Sequence, residues 1–129
     1  MTQGFDITAL TGSELEQIVY RLFTSYFKGF SEENVYLTGK SGDYGIDVLA
    51  TSDNERTYGV QVKAYTGAVG LAAVQQVVAA KAMYHYDMGM VVTNSYLTPN
   101  AKILAQSNNI QVIEGAQLLH MIKAMNGIK

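Results

Sequence analysis

Asp47, Gln61 and Lys63 supply a carboxylate, an amide oxygen and an ammonium, with Gln61 fourteen residues after Asp47 and Lys63 two further on. The runs around them, "YGIDVLAT" (44–51) and "TYGVQVKAY" (57–65), are rich in branched and aromatic residues and read as strands. Side chains alternate along a strand, so Val60 and Val62 fall on one face and Gln61 and Lys63 on the other. By the same alternation Ile46 and Val48 share a face and Asp47 stands opposite them. With both apolar faces turned to one core, Asp47, Gln61 and Lys63 project together from the other side. Such a set suits metal-assisted attack on a phosphodiester. A hard cation such as Mg²⁺ takes oxygen ligands from one or two carboxylates and keeps several waters. A nearby lysine orients the attacking water and offsets charge building on the phosphorane.

The elements that must position these residues follow from periodicity and turn chemistry. Leu15, Ile18, Val19, Leu22, Phe23 and Tyr26 recur at helical spacing from Ser13 to Lys28, and Gly29 stops the pattern. "NVYLT" (34–38) is a further strand, and "SDNER" is a polar hairpin loop that pairs the second and third strands antiparallel. "LAAVQQVVAAKAMYHY" after Gly70 reads as a mostly buried helix with Leu71, Val74, Val78 and Ala82 inward. "MGMVVT" (88–93) reads as a buried strand, and Thr98 with Pro99 marks a helix start. "IQVIE" (110–114) is the last strand, before a helix from about Ala116 to Met125. The expected fold is α/β: a mixed sheet with an antiparallel front hairpin and crossover-connected back strands, flanked by helices. The segment "TGKSGDYGID" contains "GKS" but no phosphate-binding loop, since position 34 is Asn34 where that motif needs glycine, and a strand follows instead of a helix.

At 129 residues the chain is about one domain's worth, and a single domain over 1–129 is expected. Without cysteine there is neither a disulfide nor a thiolate metal site, which points to a reducing, cytoplasmic setting. No apolar run reaches the roughly 18 residues of a membrane span. A net charge of −2 argues against a general nucleic-acid coating protein but not against a metal-loaded nuclease. His85 and His120 lack partners at metal-binding spacing and read as structural or exposed. Most of the nine tyrosines are expected in the core or on strand faces. Glu14 and Glu16 stand three residues after Thr11 and Ser13, so either can complete a capping box. They lie on opposite flanks of the apolar stripe, and periodicity does not choose between them.

"GDYGID" followed by "QVK", with "SELEQIVYRLF" before and "VVTNS" after, resembles the Mrr-like branch of the restriction endonuclease superfamily, the PD-(D/E)xK nucleases, and the resemblance continues along nearly the whole chain. It implies a restriction-endonuclease-like fold and a Mg²⁺-dependent DNA endonuclease, with Mn²⁺ as substitute cation. It also implies a site of Glu16, Asp47, Gln61 and Lys63, in which glutamine replaces the acid of the wider superfamily; Glu16, Asp47 and Gln61 would hold the metal. Gly42 and Gly45 would let the backbone approach DNA or metal. Asp43 is read as serving the turn, with a supporting role at the site as the alternative. Gln75, on the side of Leu71 and Val78, is read either as a satisfied buried amide or as support for the site or DNA. Cutting a duplex with one such site per chain implies a homodimer, and target choice implies a further domain, a partner protein or DNA structure. The alternatives are a Holliday-junction-resolvase-like nuclease and an inactive nucleic-acid-binding or assembly module.

Overall fold

The computed structural model describes residues 6–39 and 45–127. Four helices, α1 (Gly12–Ser25), α2 (Leu71–Tyr84), α3 (Pro99–Ser107) and α4 (Gly115–Met125), enclose a five-stranded sheet in the order β1-β2-β3-β5-β7. Its strands are β1 (Val35–Leu37), β2 (Val48–Thr51), β3 (Thr57–Lys63), β5 (Met88–Thr93) and β7 (Ile110–Ile113). The front is antiparallel, with Val48 opposite Val60 and Thr51 opposite Thr57 in the β2–β3 hairpin. The back is parallel, because α2 and α3 carry the chain across the sheet between β3, β5 and β7. A second sheet, which the sequence patterning did not suggest, pairs β4 (Ala68–Val69) with β6 (Tyr96–Leu97). Two residues per strand leave no alternation to read.

Each face of the main sheet has its own core. On one side Leu15, Val19, Leu22 and Phe23 of α1, with Leu118 and Ile122 of α4, pack on Val48, Val60, Val62 and Val92. On the other, Val74, Val77 and Ala80 of α2 and Ala101 and Ala105 of α3 pack on Ile46, Val91 and Ile110. The central strands are therefore covered on both faces, which is why they read as nearly continuous apolar runs.

Helix boundaries follow cap chemistry. Thr11 accepts from the Glu14 amide at 3.1 Å while Glu14 accepts from the Thr11 amide at 2.9 Å, so the capping box belongs to Glu14 and not Glu16. α1 ends at Ser25, short of the expected Lys28. Thr98 caps α3 through the Ala101 amide with Pro99 in the first turn, as the sequence predicts. α2 is rotated from the expected stripe: Ala73, Val74, Val77 and Ala80 are buried, while Leu71 and Ala82 are exposed. Alanine and valine recur on every side of this helix, so periodicity gives no strong signal and packing decides which side turns inward.

Two glycines face each other across β3 and β5, Gly59 opposite Gly89. A β-carbon on Gly89 would stand 2.7 Å from Val77 Cγ1 and 2.9 Å from Ile110 Cδ1, so the missing side chain is what lets α2 lie down on the sheet. Val77 is β-branched and stiff in its helix, leaving little room to adjust. Gly89→Ala is expected to lower stability by about 1–3 kcal/mol, the usual cost of overpacking, as read from urea unfolding.

Candidate active site

The chain that delivers Asp47 enters β2 through a bulge. The Asp47 amide donates to the Val60 carbonyl at 2.8 Å, and Val60 is already the partner of Val48, so two consecutive residues stand against one. The extra residue inverts the alternation. Ile46 and Val48 consequently enter opposite cores, Ile46 beneath α2 and Val48 beneath α1, in contrast to the shared face expected of an unbroken strand. Thr38 braces the same turn from β1: its amide donates to the Asp47 carbonyl at 3.0 Å and its hydroxyl to the Ile46 carbonyl at 2.7 Å.

The Asp47 carboxylate is held by β3 itself. Its Oδ2 accepts from the Val62 amide at 2.8 Å, so a side-chain oxygen takes the bond a neighbouring strand carbonyl would otherwise take. This seats the carboxylate at the residue between Gln61 and Lys63. Burial pushes the Asp47 carboxyl above the usual carboxylate range, against a smaller downward pull from the Val62 bond and from the Lys63 charge. Lys63 is half-buried beyond the hairpin register, where β3 still pairs with β5 at Thr93.

Gln61 is fully buried. Its Nε2 donates to Gln76 Oε1 on α2 at 2.8 Å, and its Oε1, equally buried, has no hydrogen-bond partner. An unsatisfied buried acceptor costs about 1–3 kcal/mol, so one that persists calls for a function. Gly45 closes over this amide pair: at φ +71 its backbone lies so near that a β-carbon would sit 2.3 Å from Gln61 Nε2 and 2.6 Å from Gln76 Oε1. The expected close approach at Gly45 is thus made to the glutamine pair. Gly42 and Asp43 fall outside the described residues.

The structure ties the Asp47 carboxylate to the Val62 amide, between Gln61 and Lys63 of β3, and Glu16 stands half-buried on α1, which packs on β2 and β3. Gln75 is exposed; its neighbour Gln76 is the glutamine that reaches the site. Both histidines are exposed. Sequence reasoning also missed Asn94, whose buried side chain accepts from the Tyr65 amide and donates to the Ile7 carbonyl, both at 2.8 Å. It fastens the chain just after Lys63 to the segment before α1. The available signal was a polar residue closing the apolar run "MGMVVT".

Among the described residues no three His, Cys, Asp or Glu side chains converge, so a cation here would rely on an amide as well as carboxylates. The donors present fit a hard cation: a desolvated carboxylate and an orphaned amide oxygen, both all-oxygen ligands.

Comparison with known proteins agrees with this architecture. The family model for the Mrr catalytic domain, described as "Restriction endonuclease", matches residues 7–122, and the chain belongs to that family. The type IV methyl-directed restriction enzyme EcoKMrr of Escherichia coli (strain K12) is 27% identical over 121 residues, covering 91% of this chain and 40% of that protein. The fold is shared with a repair endonuclease from Pyrococcus abyssi (TM-score 0.61, 18% identity, 88% of this chain and 49% of that one). It is shared too with EndoMS in a complex with double-stranded DNA (TM-score 0.60, 20% identity, 88% and 48%). The ATP-dependent type ISP restriction-modification enzyme LlaBIII, bound to DNA, matches at TM-score 0.65 and 24% identity over 84% of this chain and 8% of that one. The chain thus spans less than half the length of each of these proteins.

A carboxyl whose pKa is raised in the folded state weakens folding once the pH climbs past its ordinary value, and the penalty vanishes when both states are protonated. Asp47→Asn keeps an oxygen for the Val62 amide and removes the charge. In metal-free buffer the variant is expected to melt at or above the wild-type temperature near pH 7, with the gap closing as pH falls below about 4. Calorimetric melting over that range checks it.

Proposed function

We propose that this domain is a metal-dependent DNA endonuclease, hydrolysing phosphodiester bonds with Mg²⁺ held by Asp47, Gln61 Oε1 and Glu16. The observation that carries the reading is the fully buried, partnerless Gln61 oxygen on the strand whose next residue, Val62, holds a desolvated carboxylate through its amide. Membership of the restriction endonuclease family and the fold shared with nucleases support it.

When bound, the cation supplies Lewis acidity to the phosphoryl oxygen and lowers the pKa of a coordinated water. The chain's own residues do the rest. The Val62 amide fixes the Asp47 carboxylate in one orientation, so the negative charge that holds the cation is placed before substrate arrives. The Lys63 ammonium orients the attacking water, which loses its proton to solvent as the new P–O bond forms, and opposes the charge that builds on the non-bridging oxygens before the old P–O bond breaks and that charge leaves with the departing oxygen. Asn94 keeps the backbone after Lys63 from drifting by holding the Tyr65 amide.

Two copies facing opposite strands would cut a duplex, which makes a homodimer the working assembly. Target choice, including any preference for methylated DNA of the kind EcoKMrr's name states, is assigned to a further domain, a partner or DNA structure. No described helix is long and apolar enough to cross a membrane.

Cleavage of supercoiled plasmid and labelled duplexes with Mg²⁺ or Mn²⁺ tests the reading. Asp47→Ala should abolish cutting, and Lys63→Ala should slow it by about 10²–10³-fold, the typical cost of losing one group that stabilises transition-state charge. Protein that takes up the cation yet cuts no duplex, branched or single-stranded DNA would instead identify a binding module.

A further inference from the structure

Gln61 presents a problem that its own chemistry does not solve. A primary amide has one end that only accepts hydrogen bonds and one that only donates, of almost identical shape. A buried glutamine can therefore offer either end to the site, and only the oxygen can meet a cation. Something has to choose.

We infer that Gln76 is the positioning residue of the site, accepting from Gln61 Nε2 in the arrangement that presents Gln61 Oε1 to the cation; the inference rests on the metal-dependent reading above. Gln76 Oε1 accepts from Gln61 Nε2 at 2.8 Å, which turns the partnerless Oε1 the other way. Gly45 shuts the space on top of the pair, since even a β-carbon there would collide with both amides. Gln61 is fully buried, whereas Gln76 is exposed on α2, so the side chain that chooses can be altered without opening the core.

Gln76 supports this arrangement without excluding the other. Were both amides to turn over, Gln76 Nε2 would donate to Gln61 Oε1, and Gln61 Nε2 would face the site with the same bond count. The natural pair has two arrangements, and cation binding selects one. Glutamate at position 76 removes the second, because an ionised carboxylate only accepts. Leucine at 76 supplies no acceptor and releases the amide.

The test titrates Mn²⁺ alone into the metal-free protein by calorimetry, for wild type, Gln76→Glu, Gln76→Leu and the neighbouring control Gln75→Leu, with melting temperatures of all four metal-free proteins. Gln76→Leu is expected to weaken Mn²⁺ binding about 10–100-fold, as loss of a residue that orients a metal ligand typically does. Gln76→Glu should bind at least as tightly as wild type, and Gln75→Leu should match it. Equal affinity in Gln76→Leu and wild type overturns the inference, as does a Gln76→Leu variant that only melts lower while its Mn²⁺ affinity is unchanged. Failure of Gln76→Glu to restore what Gln76→Leu loses overturns it too. Wild-type protein that takes up no Mn²⁺ would overturn the metal reading itself, and the inference with it.

Discussion

The Asp47 amide donates to the Val60 carbonyl while the Asp47 carboxylate accepts from the Val62 amide, so one residue is clamped to β3 by both its backbone and its side chain. Much follows from that clamp. It places two residues against Val60, reverses the alternation, and sends Ile46 and Val48 into the two separate cores. It also fixes the carboxylate beside Gln61 and Lys63 without relying on a flexible loop. The front of the site is therefore only as precise as the register of the β2–β3 hairpin, which the turn at Ser52–Arg56 sets from one end and the bulge from the other.

Holding this arrangement works against stability. A half-buried carboxylate with a raised pKa and a buried amide oxygen without a partner are both costs, the second about 1–3 kcal/mol. The two cores offset them: α1 and α4 cover one face of the sheet, α2 and α3 the other, and the strand ends that bear Gln61 and Lys63 are anchored between them. Asn94 adds a polar tie where the apolar packing gives out. The least satisfied groups thus sit on or next to the most tightly covered strand of the sheet.

How much of this was legible in the sequence depended on the type of signal. The hairpin was visible because "SDNER" and the flanking branched residues speak locally, and α3 because Thr98 and Pro99 do. The parallel back of the sheet followed from strands alternating with helical patterns. The bulge was not visible: nothing in "YGIDVLAT" marks one residue as extra, so alternation was carried across it and Ile46 was put on the wrong face. For the same reason the Asp47 carboxylate meets β3 through the Val62 amide and not through simple alternation. Gln76 was hidden because an inward stripe through Leu71, Val74, Val78 and Ala82 points to Gln75 instead, whereas packing turns Ala73, Val74, Val77 and Ala80 inward and leaves Gln76 to meet Gln61. Periodicity did not separate Glu14 from Glu16; the resemblance points to Glu16, and the cap that Glu14 makes gives the capping box to Glu14.

The most direct measurement is a crystal structure of the protein grown with Mn²⁺, with anomalous scattering used to locate the metal. One strong peak is expected at bonding distance, about 2.1 Å for a cation of this kind, from both an Asp47 carboxylate oxygen and Gln61 Oε1. A metal bound elsewhere, or a Gln61 oxygen turned away from the cation, would contradict it.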